Sequence, residues 1–294
     1  MTRFVYGYEL TWHVHRPNMI LWRRVLGEHC VESWSNNVDL GKSFHRALAD
    51  RTGLDLGDVP VHDNAHAHEL EIGSPPSRDD DFLRAYWHDA TRLARQLNLR
   101  THGPRGGHMS GGGHLHVSPA SGPWSGDFVA EFLRDFCNRP YLNWVFNDSE
   151  DDENASNPMT RDGDVGHIWD VDYRYDRPWK MTGLEFGKGF GAQWRSDYGT
   201  IELRFFDAPR DWSEQKLHLD FADAWLSHHL DRFRRGRRTR LRYRWPCDVQ
   251  EITFTQAARE FCAMLLDLGL RPRDYAPLVE RNMRRRYRDG LNRD

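Results

Sequence analysis

The sequence predicts an α+β protein. Four segments rich in aromatic and β-branched residues have the pattern of strands, and helical segments and long polar loops separate them without a regular strand–helix alternation. Of the 294 residues 13% are aromatic, enough to fill a substantial core, so we exclude a globally disordered chain. We expect residues 1–210 to form the core of one domain and residues 211–294 to form its helical, arginine-rich end.

The predicted strands begin in aromatic or glycine-rich sequence and end at turn residues. Ser74-Pro75-Pro76 stops the second strand, and Gly199 and Pro209 bracket the fourth. The four segments are 4–15, 65–73, 113–118 and 200–206.

Apolar residues at helical spacing predict the helices. Asp79 opens an acidic first turn, Ser213 is the expected N-cap of the third helix, and Gly269 follows the fourth. The four segments are 79–97, 127–137, 213–233 and 256–268, and residues 147–164 are predicted to be an acidic surface loop.

Composition argues against several classes of protein. The sequence has no long apolar run and no secretory signal pattern, so we expect a cytoplasmic protein with no membrane partner. The four cysteines form no CxxC pair, which argues against a structural zinc knot or a disulfide framework. The net charge is −3, yet residues 211–294 hold 18 basic and 13 acidic residues.

Ionisable side chains alternate along each predicted strand. Because residues i and i+2 share a face, each strand has an apolar face for a core and a polar face that carries carboxylates and imidazoles. A solvated face would more often carry lysine, threonine, serine and glutamine, so we interpret the polar face as a functional cluster. Its residues are Glu9, Thr11, His13 and His15 in the first strand, Glu69 and Glu71 in the second, His114 and His116 in the third, and Glu202 and Arg204 in the fourth.

Glutamate and histidine without cysteine suit a divalent cation. Carboxylates favour Mg²⁺ or Mn²⁺, whereas two histidines with one glutamate favour Zn²⁺ and hydrolysis, and spacing alone does not decide between them. The glycine-rich stretch 103–118 lets backbone N–H groups approach an anion, although it lacks the GxxxxGK[ST] pattern. A flexible loop is the alternative for that stretch.

Four short motifs resemble the amidoligase family of the glutamine synthetase and glutamate–cysteine ligase superfamily. They are GYEL, ELEIGSPP, GGGHLHVS and GTIELRFF, in the family's order, and they span about 200 residues from Gly7 to Pro209. In that superfamily a curved antiparallel sheet lines a cleft that holds ATP and Mg²⁺ or Mn²⁺. The resemblance therefore implies a curved antiparallel sheet of that catalytic type flanked by helices, with ATP and Mg²⁺ or Mn²⁺ as cofactors.

The resemblance also implies roles for the residues that match its motifs. His116 and Arg204 would contact the phosphates of ATP and act in catalysis together with Glu71. The first strand departs from the family's frequent E-x-E pattern, because Thr11 stands at the second position. The implied metal ligands are Glu9, Glu69, Glu71, His114 and Glu202. Further candidates from the residues themselves are Lys188 in FGKGFG, as a phosphate contact or a loop lysine, and Asp63 or Glu185 as general base.

The implied reaction joins a carboxylate to an amine through an acyl phosphate made from ATP, on small-molecule or peptide substrates that the sequence does not identify. One alternative uses the arginine run Arg232–Arg244 to bind a nucleic acid or an acidic protein, although a solvated surface is also compatible with such a run. An oligomer is compatible with the superfamily. The other alternative is a zinc-dependent hydrolase built on His13, His15, His114, His116 and Glu71.

Overall fold

The structure is a computed structural model that describes residues 3–14, 18–30, 37–56, 61–64, 69–100, 113–139, 141–146, 192–195, 198–239 and 253–288. Within these ranges six strands form one curled antiparallel sheet, a half-barrel. The strands are β1 (Phe4–His13), β2 (Val61–Asn64), β3 (Glu69–Gly73), β4 (Leu115–Pro119), β5 (Ala192–Arg195) and β6 (Thr200–Leu203). They lie side by side in the order β2–β3–β1–β4–β6–β5. The predicted mixture of helices with a curved antiparallel sheet is confirmed.

Eight α-helices accompany the sheet among the described residues. The last three make up the helical C-terminal region that the sequence predicts. In chain order the helices are α1 (Met19–Leu26), α2 (Asn37–Thr52), α3 (Asp80–Gln96), α4 (Gly126–Cys137), α5 (Leu142–Phe146), α6 (Trp212–Arg234), α7 (Phe254–Asp267) and α8 (Pro272–Arg288).

One face of the sheet packs against helices and holds the core. The even-numbered residues of β1 from Tyr6 to Trp12 are at most 4% exposed. The Tyr8 hydroxyl donates to the carbonyl of Leu83 in α3 over 2.8 Å, and the Tyr6 hydroxyl donates to the carboxylate of Asp223 in α6 over 2.6 Å. Burial of each large side chain contributes about 2 kcal/mol, so these contacts fix which face of β1 meets the helices.

Two helices begin earlier than predicted. α6 is capped by Asp211, whose carboxylate accepts from the N–H of Glu214 over 3.0 Å, and not by Ser213. α7 begins at Phe254, two residues before the predicted start at residue 256, and is capped by Thr253. Both segments hold two capping residues close together, so composition alone does not choose between them. Gly269 follows α7 with φ +74°, as expected of a glycine that ends a helix.

The structure adds elements that the sequence pattern does not predict. α1 lies in a segment for which the sequence analysis predicts no helix, and β2 and β5 are strands of four residues each. Residues 65–68 and the predicted loop 147–164 lie outside the described residues, and the division at residue 210 stays a prediction. In the described part of the chain, no helix is both long and apolar enough to cross a bilayer.

Candidate functional site

The polar face of the sheet brings together candidate residues from three strands that are distant in the sequence. His116 of β4 pairs with Glu202 of β6 and, on its other side, with Gly7 of β1. In the next row of neighbouring residues across the strands, the N–H of Glu9 donates to the carbonyl of His114 over 2.9 Å. Because cross-strand partners lie on the same face, the side chains of these two rows converge. The alternation that the sequence predicts for this face is present in the structure.

Glu9 joins the two histidines. Its Oε2 lies 2.7 Å from Nδ1 of His114, and its Oε1 lies 2.9 Å from Nε2 of His116. Burial alone would raise the pKa of Glu9, but hydrogen bonds from the two imidazoles outweigh it and hold that pKa well below its usual value. Glu9 is therefore an ionised carboxylate that accepts a hydrogen bond from each ring.

The two ring nitrogens of His114 have different surroundings. Its Nδ1 faces Oε2 of Glu9 at 2.7 Å and Oε1 of Glu202 at 3.4 Å, so this nitrogen carries the proton. Burial, and then the charge of Arg204, lower the pKa of His114, which keeps the ring neutral. The lone pair therefore lies on Nε2, which is buried and has no hydrogen-bond partner in the described part of the chain. A neutral imidazole held in this way is suited to bind a cation.

The ring of His116 has partners at both nitrogens. Nδ1 lies 3.1 Å from Oγ1 of Thr200, and Nε2 lies 2.9 Å from Glu9. Burial alone would lower the pKa of His116, but the hydrogen bond and charge of Glu9, together with the charge of Glu202, raise it overall. This ring therefore tends toward the protonated form, a cation that suits an anionic ligand.

Glu202 has no exposed surface and is held by two arginines. Nη1 of Arg204 lies 2.5 Å from Oε1, and Nη1 of Arg195 lies 3.2 Å from Oε2. Burial alone would raise the pKa of Glu202, but the attraction of Arg204 outweighs it, and the pKa is lowered. Such pairing is what allows a carboxylate to stay ionised inside a protein.

Gly113, the last glycine before His114, fits a position that admits no side chain. Its N–H donates to the carbonyl of Phe206 over 3.1 Å. A Cβ atom on Gly113 would lie 2.2 Å from the carbonyl oxygen of Asp207, a severe clash with backbone. The glycine therefore lets the start of β4 lie against the chain that follows β6, and this contact places His114.

The ligand atoms of Glu9, His116 and Glu202 lie within 4.8 Å of one another, close enough for one cation to contact all three. His114 is not in this group. A second group of this kind, Glu28, His29 and Asp50, is largely exposed, and exposed acidic groups of this kind are common without an ion.

Comparison with solved structures addresses the fold. A crystal structure described as a novel glutamine synthase homolog matches 98% of this chain and 70% of its own chain, with a TM-score of 0.50 and 14% sequence identity. The fold is glutamine-synthetase-like. No protein family model matches the sequence, and no curated protein matches it either. At such low identity the similarity concerns the fold and not the reaction.

The remaining predicted residues lie farther along the same face or outside the described residues. Glu71 pairs with Thr11, one row beyond Glu9, and is partly buried. Glu69 pairs with His13 in the backbone register, and nothing more of its position is described. Lys188 and Glu185 lie outside the described residues, and Asp63 pairs with Leu70 of the apolar row. The roles expected of these residues stay predictions.

Three residues of the site are absent from the sequence-based prediction. Arg195 contacts Glu202, and its guanidinium carbon lies 5.0 Å from the ring centre of Tyr198. Tyr198 is 44% exposed and meets the ring of His116 edge to face at 5.9 Å. Thr200 stands two residues before Glu202 and therefore shares its face, a signal that could have identified it. No comparable pattern marks Arg195 or Tyr198.

The arginine run is only partly described. Arg234, Arg235, Arg237 and Arg238 are exposed at the end of α6, and the guanidinium of Arg238 lies 4.7 Å from the ring centre of Phe233. Residues 240–252 lie outside the described residues. A nucleic-acid or acidic protein partner for this run stays a prediction.

Proposed function

We propose that the chain is an ATP- and Mg²⁺-dependent carboxylate–amine ligase that forms an amide or isopeptide bond. The observation that carries this proposal is the convergence of Glu9, His114, His116 and Glu202 on the polar face of a curled antiparallel sheet. The fold supports the same class of reaction, because a solved structure with this fold is described as a glutamine synthase homolog. A ligase of this class needs groups for a cation and groups for phosphate, and the cluster offers both.

We assign cation contacts to the adjacent carboxylates of Glu9 and Glu202 and, at a separate position, to Nε2 of His114. A metal-bound histidine commonly donates its second ring N–H to a carboxylate, and His114 stands in this relation to Glu9. The buried Nε2 of His114, which lacks a partner in the described residues, fits a metal ligand. A bound Mg²⁺ or Mn²⁺ would offset the negative charge of ATP while the substrate carboxylate attacks the γ-phosphate to give an acyl phosphate.

Charge balance predicts that cation and nucleotide bind together. Glu9 and Glu202 contribute two negative charges, Arg195 and Arg204 contribute two positive charges, and a protonated His116 adds a third. A divalent cation alone would leave this largely buried cluster with excess positive charge, which is costly. A polyphosphate brings the compensating negative charge, so we expect the ATP chain and the cation to bind cooperatively.

We assign the phosphate contacts to His116 and Arg204. His116 has a raised pKa, and its side chain is 15% exposed, so a cationic ring lies at the edge of the buried cluster. Arg204 would exchange part of its contact with Glu202 for a phosphate oxygen. Glu71 is the proposed catalytic carboxylate, one row along the same face, and Lys188 is a further proposed phosphate contact.

The test is calorimetric titration of Mn²⁺ with and without a non-hydrolysable ATP analogue. We expect the analogue to tighten Mn²⁺ binding by about tenfold or more, and we expect Glu9→Gln and His114→Ala to lose this coupling. The matched control is Glu260→Gln, which removes a carboxylate from the surface of α7 and should titrate as the unaltered protein does. Circular dichroism checks that each variant is folded.

Several results would reject the assignment. Equal Mn²⁺ affinity with and without the analogue would reject the coupled site, and full coupling in folded His114→Ala would reject that ligand. Stoichiometric, tightly bound zinc, measured by elemental analysis and unaffected by the analogue, would favour the zinc-dependent hydrolase instead. ADP formation that requires Mg²⁺ and increases with added carboxylate and amine would support ligation directly.

A further inference from the structure

A cleft lies on the helix-covered side of the sheet, away from the polar face. It has a volume of about 310 Å³, and a second cavity of about 440 Å³ adjoins it and shares Trp87, Thr91 and Arg95. Leu10 and Trp12 of β1 line the cleft, and these residues belong to the apolar row of that strand. The cleft therefore differs from the site proposed for the ligase reaction and is independent of it.

The walls of the two cavities are strongly cationic. Arg95, Arg100 and Arg210 line the smaller cavity, Arg92 lines the larger one, and Asp89 is the only acidic residue among the described lining residues. Arg95 and Arg100 are exposed, and neither forms an ion pair with another residue that the structure describes. Two arginines held near each other without a counter-charge favour an anion between them.

Trp87, which lines both cavities, carries a buried hydrogen-bond donor. The indole of Trp87 is 4% exposed, and its Nε1 has no acceptor in the part of the chain that is described. A buried N–H without an acceptor destabilises a protein, and few native structures keep one unless a ligand or water completes it. Thr91, one turn further along α3, lines the cleft beside Trp87.

We propose that this cleft binds a small organic anion whose carboxylate or phosphate group lies at Arg95 and Arg100. An oxygen of the ligand accepts from Nε1 of Trp87. The apolar body of the ligand packs on Trp12 and Leu99, which are at most 6% exposed and line the cleft. The volume is at the small end of ligand sites, and it suits a compound with one ring or a short chain.

The test uses three probes of similar size: phenyl phosphate, phenylacetate and uncharged benzyl alcohol. Each is titrated calorimetrically into the full chain, with a chelator present so that no divalent ion contributes. We expect at least one anion to bind, and Arg95→Gln and Arg100→Gln each to weaken it by about tenfold or more, the value of a charge-assisted hydrogen bond. Arg84→Gln removes a charge from the same helix outside the cleft, where Arg84 pairs with Asp81, and should change binding by less than about twofold.

The indole N–H gives an independent readout. In a ¹H–¹⁵N spectrum the resonance that Trp87→Phe removes should shift when the anion is added to the unaltered protein. The tighter of the two anions identifies the preferred group, and either preference supports the site. The proposal is overturned if neither anion binds at about 10 mM, if benzyl alcohol binds as tightly, if the Arg95 and Arg100 variants bind normally, or if the Trp87 resonance does not move.

Discussion

His218 lies inside α6 with no exposed surface. Its ring stacks on Phe206 with centroids 4.5 Å apart, and neither ring nitrogen has a hydrogen-bond partner among the residues that the structure describes. Burial lowers the pKa of His218 to about 4, although the charge of Glu214 opposes the change. Replacement of this ring by one that cannot titrate should therefore alter how stability depends on pH.

The size of the effect follows from the difference in pKa between the folded and unfolded chains. The unfolded pKa is about 6.5, and each pKa unit corresponds to about 1.4 kcal/mol. Above pH 6.5 the ring is neutral in both states and has no effect. As the pH falls from about 6.5 toward 4, only the unfolded chain gains the proton, so the folded state loses stability. Between about pH 7.5 and pH 5 we expect His218 to account for a loss of about 2 kcal/mol.

Urea unfolding at these two pH values, followed by circular dichroism, measures the loss. Other groups that titrate in this range contribute to both proteins, so the quantity to compare is the pH-dependent change in unfolding free energy of the unaltered chain and of His218→Phe. We expect the change to be smaller by about 2 kcal/mol in the variant, and His218→Leu serves if phenylalanine overpacks the site. An identical change in all three proteins would show that the ring is not held neutral by burial.

Two further predictions concern backbone packing and a buried carboxylate. Gly113→Ala should lower the free energy of unfolding by about 2 kcal/mol and weaken Mn²⁺ binding, because the added Cβ would collide with the carbonyl of Asp207. A variant with the same melting temperature as the unaltered protein would contradict this close approach. Asp135→Asn should lower the free energy of unfolding, measured in urea, by about 3 kcal/mol. The reason is that the carboxylate accepts a hydrogen bond from Trp225 over 2.7 Å and pairs with Arg139 at 2.9 Å. A decrease of less than about 1 kcal/mol would mean that the ion pair contributes little to stability.

Sequence patterns predict those parts of the fold in which apolar and polar residues recur at regular spacing within one segment. The alternation of polar and apolar residues along 4–15 and 200–206 identified the polar face. A strand with one buried face cannot shift its pairing by one residue without exposing its apolar side chains, so its register is well defined. The four residues that converge, Glu9, His114, His116 and Glu202, all come from such segments. Their mutual distances depend on the order of the strands in the sheet, which the sequence patterns do not predict.

The parts that escaped prediction depend on contacts between distant segments. Arg195 sits in a strand of four residues that is too short to show a period, and its place beside Glu202 comes from pairing with β6. Asp211 and Ser213 are equally good caps by composition, and the structure uses the first. The exposed arginines and buried aromatic rings of the cleft at Trp87 come from α3, β1 and the chain after β6, so no single segment reveals it.

The order of the strands determines when the proposed site can form as the chain is synthesised and folds. The carboxylates of Glu9 and Glu202 meet only when β1 and β6 have both paired with β4, and contacts between segments so far apart in the sequence form slowly. A nascent chain that has not yet emerged beyond residue 200 lacks Glu202 and Arg204. The cation and nucleotide binding that we propose should therefore appear only after synthesis has passed that point, and binding would stabilise the completed sheet and no earlier species.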